Sequence, residues 1–287
     1  MAEYAWVMLL MRGDAYLRGA LVLCNSLLET NTKADIVVMV TRDVSIQALE
    51  ALRRMSDKIK VKPINYIRGE FKARMSRKQQ DKYGRWMNDI PTKFNAVNLT
   101  EYRKVVLLDT DIVVVRNSDE LFDLPAPAGL WEFFQTGINK TTGELLYTSK
   151  TMKDMAELKH GQHVPTRIVD DALNNSFVCW GTSMVLEPNV NDFNNLVRLT
   201  DEGFHMKNCK SGFEEQIFAY YYRDRWTKVG LEYGLVPWKF LKMKTEDAKI
   251  LHFFGDKKPW DYKPNEQVWP DIVIWRKYEA MYMNKFE

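Results

Sequence analysis

The first third of the chain alternates between short apolar runs and segments with helical periodicity. The apolar runs have the length of strands, and the segments between them repeat their apolar positions every three to four residues. The runs lie at 4–11, 35–41 and 58–64, and the helical segments lie at 15–29 and 45–55, the second with Ser45 as a predicted N-cap. Because this alternation is typical of parallel sheets covered by helices on both faces, it predicts an α/β fold.

The rest of the chain continues the pattern less regularly. Helical periodicity predicts helices at 92–102, 149–160, 190–202, 213–223 and 271–283. Apolar, mostly β-branched runs predict two strands within 104–115, one at 176–188 and one at 248–254. The stretch 125–175 is punctuated by Pro and Gly and is the least regular part. Since no internal repeat, low-complexity tract or clear linker occurs, we predict one domain that covers residues 1–287.

Composition and charge narrow the choice of partners and compartment. The chain has 41 basic and 38 acidic residues, and this net charge of +3 is too balanced to predict nucleic acid as the main partner. Cys24, Cys179 and Cys209 lie far apart, as expected in a reducing compartment and not in a disulfide framework. No apolar run reaches the roughly 18–20 residues that cross a bilayer. Because the start has no basic region before its apolar stretch, we expect no cleaved signal and a cytoplasmic protein.

Two carboxylates interrupt the apolar segment KVVLLDTDIVVV at its centre. Asp109 follows one predicted strand and Asp111 precedes the next, so both lie at the carboxyl end of a strand, where open α/β sheets bind ligands. Two carboxylates that converge there can hold a hard divalent cation, which prefers oxygen ligands and commonly bridges to phosphates. A solvated turn is the simpler alternative, since Asp and Thr are common turn residues. The apolar flanks strengthen the metal interpretation, because buried acids need a partner, and both interpretations stay open.

The segment HFFGDKKPW, residues 252–260, carries the second candidate chemistry. His252 follows an apolar run, Gly255 permits a sharp turn, and Lys258 stands just before the Pro that stiffens the loop. An imidazole at a strand end together with two carboxylates forms a plausible manganese site, and a nearby lysine suits a departing diphosphate. Taken alone, however, the segment is more simply interpreted as a core histidine beside surface lysines.

Together these segments resemble the glycogenin-like family of retaining glycosyltransferases. The resemblance covers most of the chain and is weakest at 125–175. Five segments carry it in order: AYLRGALVL, PTKFNAVNLTEYRKVVLLDTDIVVVRNSDELFDLP, GTSMVLEP, FEEQIF and HFFGDKKPW. FEEQ and the terminal WRKYEAMY are similar to galactinol synthases, and similar proteins are encoded by large DNA viruses. The resemblance implies a single Rossmann-like domain of the GT-A type with a mostly parallel sheet, in which 1–124 binds the nucleotide and 125–287 forms the acceptor side and ends in a helix.

The resemblance also implies a metal-dependent transfer of a hexose from a UDP-sugar to an acceptor hydroxyl, with retention at the anomeric carbon. The implied ligands of Mn²⁺, or alternatively Mg²⁺, are Asp109, Asp111 and His252. Lys258 is expected to contact the diphosphate and to assist its departure, and Gly255 is expected to let the backbone approach it. The implied remaining donor contacts are Leu10, Met11, Tyr16, Lys93 and Thr110.

Two segments depart from the family pattern. GTS at 181–183 lacks the usual asparagine, so the hydroxyl of Thr182 or Ser183 is a candidate substitute. In GFEEQ, Gly212 stands where the family has an acid. Glu215 and Gln216 are then expected beside the anomeric carbon, as a charge stabiliser or weak nucleophile and as a polar sugar contact. Glu214, on the neighbouring helical position, is expected to point away.

Several alternatives remain open at this point. The fold could serve a catalytically idle nucleotide-sugar-binding protein or a UDP-sugar hydrolase, and a homodimer is one option for its assembly. Self-glycosylation is a further alternative, but the sequence does not support it, because the chain between FEEQ and HFFG is short and Tyr233 is its only tyrosine outside YYYRDRW. His160 and His163 are expected to form part of an acceptor loop, and Trp180, Trp238 and Trp260 could stack on a sugar, although core packing is the simpler interpretation for each. If the chain is virus-encoded, the expected location is the host cytoplasm.

Overall fold

The fold is built on strands that alternate with helices, as the sequence predicts for the first third. The structure is a computed structural model, and it describes residues 2–70, 84, 86–132, 137–175, 179–203, 213–237 and 243–286. The strands are β1 (Tyr4–Leu10), β2 (Asp35–Val40), β3 (Ile59–Pro63), β4 (Lys104–Leu108), β5 (Ile112–Val114), β6 (Ala128–Leu130), β7 (Gly137–Ile138), β8 (Leu145–Leu146), β9 (Trp180–Leu186), β10 (Thr227–Lys228) and β11 (Ile250–His252). The α-helices are α1 (Leu17–Glu29), α2 (Ile46–Met55), α3 (Lys150–Glu157), α4 (Thr166–Asn175), α5 (Val190–Asp201), α6 (Phe213–Tyr221) and α7 (Pro270–Phe286).

A seven-stranded sheet runs in the order β10-β6-β9-β4-β1-β2-β3. Strands β4, β1, β2 and β3 are mutually parallel, whereas β9 is antiparallel to both of its neighbours. Strand β5 leaves this sheet and pairs antiparallel with β11. The mostly parallel α/β architecture confirms the fold class predicted from the sequence.

Both faces of the sheet are buried, which explains why β1 is apolar throughout and does not alternate with polar residues. Trp6, Met8 and Leu10 pack into one core cluster with residues of α1 and α2. Val7 and Leu9 point to the opposite face and pack with residues of α5 and α6. Helix α2 begins where predicted, because the Ser45 side chain accepts a hydrogen bond from the backbone N–H of Ala48.

Three predicted elements differ in the structure. The helix predicted at 92–102 is a 3-10 helix that spans Met87–Asn98 and contains Pro91, which supplies no N–H for helical hydrogen bonding. The irregular region 125–175 contains a second helix, α4, and strand β6, in addition to the expected α3. The strand predicted at 248–254 is shorter, because only Ile250–His252 pairs with β5.

Candidate functional site

The two aspartates and the histidine converge at the carboxyl end of β4. Asp109 and Asp111 form the junction between β4 and β5, and the antiparallel pairing of β5 with β11 sets His252 opposite Ile112. The backbone N–H of Phe253 also donates to the carbonyl of Asp111 over 2.9 Å. His252 Nε2 lies 3.7 Å from Asp109 Oδ2 and 3.4 Å from Asp111 Oδ1. One potential ligand atom from each residue therefore lies within 4.8 Å of the other two.

A hydroxyl on β9 fixes the ring of His252. Thr182 Oγ1 and His252 Nδ1 are 2.8 Å apart, and both side chains are buried. When Nδ1 carries the ring proton it donates to this hydroxyl, so that Nε2 is left deprotonated and faces the two carboxylates. Thr182 was expected as a substitute for a sugar-binding amide, whereas its contact in the structure is with the histidine. The other candidate, Ser183, donates to the carbonyl of Tyr233 over 2.5 Å.

Lys258 supplies positive charge to Asp111. Its Nζ donates to Asp111 Oδ2 over 2.5 Å, and both side chains are largely shielded from solvent. Burial alone would raise the pKa of Asp111, but the neighbouring positive charge, first that of the Lys258 ammonium, outweighs it and holds that pKa far below its ordinary value. Gly255 bends the connecting loop with a φ of 131°, a conformation that favours glycine.

Lys93 joins the first aspartate to helix α6. Its Nζ donates to Asp109 Oδ1 and to Glu214 Oε1, each over 2.7 Å. Burial opposes the charge on Lys93, yet Asp109 and Glu214 together raise its pKa well above the ordinary value. The expectation that Glu214 points away from the site is therefore wrong. Helix α6 begins at Phe213, and its first turn directs this carboxylate inward.

Glu215 lies beside this network and is held by the start of β9. Its Oε1 accepts a hydrogen bond from the backbone N–H of Gly181 over 2.6 Å. Burial, reinforced by the negative charge of Glu214, raises the pKa of Glu215 to about 8. Its carboxyl group is therefore mostly protonated at neutral pH and can donate a hydrogen bond. Gln216, the next residue, is buried.

The loop between β1 and α1 approaches the same edge of the sheet. Leu10 ends β1 and is buried, Met11 follows it partly buried, and the exposed ring of Tyr16 packs edge-to-face on Trp260 at 5.4 Å. Thr110 is buried between the two aspartates. A Cβ atom on Gly19 of α1 would lie only 2.6 Å from the Thr110 carbonyl oxygen, so a glycine is needed at this close approach. Gly19 was not predicted as part of the site, although an isolated glycine inside a helical pattern is a signal for such packing.

Other candidates from the sequence lie elsewhere or are engaged in packing. Tyr233 is 4% exposed and its hydroxyl donates to Glu120 Oε1 over 2.7 Å, an arrangement that opposes its use as a sugar acceptor. His160 stacks on Tyr233, and its Nδ1 accepts from the backbone N–H of Gly230. Trp238, Gly212 and Cys209 lie outside the described residues. Cys24 and Cys179 are buried free thiols.

The site and fold together define a glycosyltransferase of the GT-A type, and the comparison with protein families agrees. Residues 8–159, more than half of the chain, match the model of glycosyl transferase family 8. The chain belongs to this family. Among the described residues, no helix is both long enough and apolar enough to span a bilayer.

The similar proteins include viral and cellular ones. An uncharacterized protein, R707 of Acanthamoeba polyphaga mimivirus, is 26% identical over 269 residues, which is 91% of this chain and 84% of that protein. Glycogenin of Neurospora crassa is 25% identical over 267 residues, and human glycogenin-1 is 25% identical over 273 residues. These matches take up 88% and 91% of this chain but only 30% and 63% of the two glycogenins. The chain therefore spans less than two thirds of either glycogenin.

Solved structures with a similar fold include glycosyltransferases. The galactosyltransferase LgtC, solved with donor and acceptor sugar analogs, has a TM-score of 0.58 at 12% identity, and the match covers 96% of this chain and 95% of LgtC. GlyE of Streptococcus pneumoniae TIGR4 has a TM-score of 0.57 at 15% identity, over 98% of this chain and 63% of GlyE. At these identities the likeness supports the fold alone.

Proposed function

We propose that this protein transfers a hexose from a UDP-sugar to an acceptor hydroxyl, with retention at the anomeric carbon and with the help of a divalent metal ion. The observation that carries the proposal is the convergence of Asp109, Asp111 and His252, with one ligand atom of each within 4.8 Å of the others. Retention is proposed from the family resemblance. The donor class is proposed from the same source, and glycogenins are among the relatives whose match covers most of this chain.

The residues of the cluster fit Mn²⁺, with Mg²⁺ as the alternative ion. Two carboxylates and one imidazole combine hard oxygen donors with a nitrogen donor, and the contact of Thr182 with Nδ1 leaves Nε2 available. Asp109, Asp111 and His252 would hold the ion. When bound, it would supply positive charge to the departing diphosphate.

The two lysines add positive charge to the cluster, one beside each aspartate. Lys258 bonds to Asp111, and its ammonium is within reach of a diphosphate that approaches the same carboxylate. Lys93 is held between Asp109 and Glu214 and would face the sugar or the diphosphate from the side of helix α6. Preorganised positive charge of this kind stabilises a leaving group without reorganisation during the reaction.

Glu215 and Gln216 would contact the transferred sugar. With a pKa raised to about 8, Glu215 is better suited to donate a hydrogen bond at neutral pH than to attack as a nucleophile. Such a residue fits a reaction in which the acceptor attacks the same face of the sugar that the diphosphate leaves, with assistance from the departing phosphate. Leu10, Met11, Tyr16 and Thr110 would contact the nucleotide from the half 1–124, and Gly255 would approach it from the half 125–287, which otherwise forms the acceptor side of the same domain.

Calorimetric titration of UDP into the protein tests this proposal. We expect binding in the presence of Mn²⁺ and a weakening of at least tenfold in EDTA or in the Asp111→Asn variant. Asp123→Asn, which alters an exposed aspartate at the end of a 3-10 helix, is the matched control and should bind as the wild type does. Equal affinity for UDP with and without metal would contradict the proposal.

The two alternative functions predict different outcomes once UDP binds. A UDP-sugar hydrolase would release free sugar from its donor at a rate that no added acceptor increases. An idle binding protein would bind UDP in a metal-dependent manner and release none from any UDP-sugar with any acceptor. A transferase is expected to release UDP faster when a suitable acceptor is added.

A further inference from the structure

Two aromatic side chains form a wall beside the metal cluster. The Trp180 ring packs edge-to-face on Phe254 with 5.1 Å between ring centroids, and both rings pack edge-on against His252, at 6.4 and 6.0 Å. We call Trp180 and Phe254 the aromatic wall. Because His252 also faces Asp109 and Asp111, the wall borders the point where the sugar is proposed to be transferred.

The wall is fixed in position, yet part of it is exposed. Trp180 begins β9 and donates its indole N–H to the carbonyl of Glu132 over 3.1 Å. Phe254 follows β11 and remains 43% exposed although it touches two other rings. Leaving a large apolar ring uncovered costs stability, and removal of that surface from water by a ligand is favourable.

A polar group, the carboxyl of Glu215, lies beside the same end of β9. Gly181 follows Trp180 directly, and its N–H holds the carboxyl group of Glu215. That hydrogen bond engages only one oxygen of Glu215, and the carboxyl retains capacity for a hydroxyl group. At the start of β9, the aromatic ring of Trp180 therefore lies one position before Gly181, whose N–H holds the hydrogen-bonding carboxyl group of Glu215.

We propose that the aromatic wall, together with Glu215, is the acceptor subsite, and that it takes a cyclic polyol or a pyranoside. Such rings combine an apolar C–H face with an edge of hydroxyl groups, which matches the two surfaces at the start of β9. The electron-rich face of an aromatic ring attracts C–H groups, whereas Glu215 would hold the hydroxyls at the ring edge. This inference rests on the proposed function and adds the chemical class of the acceptor. An open-chain polyol, which has no apolar face, should be a poor acceptor.

The test compares ring and open-chain acceptors in the wild type and in Phe254 variants. With the donor that supports UDP release, we expect stimulation by methyl β-glucoside, cellobiose, maltose or myo-inositol and little stimulation by sorbitol. Phe254→Ala should raise the acceptor KM by about tenfold, the factor that corresponds to covering about half of a phenyl ring. Phe254→Tyr keeps the ring and should restore the wild-type KM. Trp269→Ala removes a 65% exposed aromatic that lies just before α7 and should leave the acceptor KM unchanged.

A second measurement detects acceptor binding without turnover. Saturation-transfer NMR with cellobiose and UDP should show the strongest transfer at the ring C–H protons in the wild type, and a weaker signal in Phe254→Ala. Equal stimulation by sorbitol, or an unchanged KM in Phe254→Ala, would overturn the inference. Loss of UDP affinity in Phe254→Ala would also overturn it, since Phe254 would then serve the donor. Failure of the wild type to bind UDP with Mn²⁺ would instead refute the proposed function itself.

Discussion

Replacement of Glu215 by glutamine should change how the stability of the protein depends on pH. The pKa of Glu215 is raised from the ordinary 4.5 to about 8, first by burial and then by the charge of Glu214. The native state therefore keeps this proton up to about pH 8, whereas the unfolded state releases it near pH 4.5. Between these values the unfolded state binds fewer protons, so the free energy of unfolding falls as the pH rises.

The expected size of this pH dependence follows from the release of one proton on unfolding. A fully linked proton changes the free energy of unfolding by about 1.4 kcal/mol for each pH unit. A chain of 287 residues has an unfolding entropy of roughly 0.6 kcal/mol/K, which converts this slope to about 2 °C in Tm for each pH unit. Glutamine keeps an oxygen that can accept from the Gly181 N–H but has no proton to lose. Between pH 5.5 and 7.5 the wild type should lose about 4 °C relative to Glu215→Gln.

Thermal unfolding followed by circular dichroism in EDTA measures this difference. The quantity of interest is the Tm of the wild type minus that of the variant at each pH, because other titrating groups then cancel. Glu50→Gln, at an exposed position of α2, is the control and should give a difference that does not vary with pH. Parallel curves for the wild type and Glu215→Gln would refute the argument that Glu215 is protonated in the folded protein.

Two further substitutions test the construction of the site. Thr182→Val removes the hydroxyl that orients His252 and should weaken Mn²⁺ binding about 10- to 100-fold, as measured by calorimetry. Thr182→Ser keeps the hydroxyl and should retain wild-type affinity. Equal affinities for the wild type and both variants would contradict the role given to this hydroxyl. Gly19→Ala would bring a Cβ atom to 2.6 Å from the Thr110 carbonyl and should lower the free energy of unfolding by about 1–3 kcal/mol in urea. Ala51→Gly, at a half-buried position of α2, serves as a reference and should lower the free energy of unfolding by about 1 kcal/mol, the cost of a glycine in a helix. An unchanged free energy of unfolding in Gly19→Ala would refute the close approach.

The central strands of the sheet were predictable because local patterns determine them. Strand β1 is apolar at every position since both of its faces are buried, and the N-cap residue Ser45 marks the start of α2. The short strand β6 was missed because a three-residue strand carries no periodicity, and its place in the sheet depends on pairing with β9. Helix α4 was overlooked although Ile168, Val169 and Ala172 have helical spacing, because Pro and Gly residues punctuate the stretch around it.

The site was predictable as a set of residues but not as a set of contacts. Asp109, Asp111 and His252 stood out as chemical groups at strand ends, and the β5–β11 pairing brings them together over a long separation in sequence. Glu214 was misplaced although the start of α6 at Phe213 was predicted, because its contact is with Lys93, 121 residues away in sequence. The contact of Thr182 with the histidine crosses from β9 to β11 and leaves no signature in either segment.

The most direct test of the central claim is the release of UDP from a panel of UDP-sugars, with and without Mn²⁺, by the wild type and by Asp111→Asn. Each donor should be supplied together with ring acceptors, and Asp123→Asn should serve as the control. We predict release from one or a few donors that requires Mn²⁺, is lost in Asp111→Asn and is kept in Asp123→Asn. Release that persists in EDTA or in Asp111→Asn would contradict the account, because the cluster of Asp109, Asp111 and His252 would then not carry the reaction.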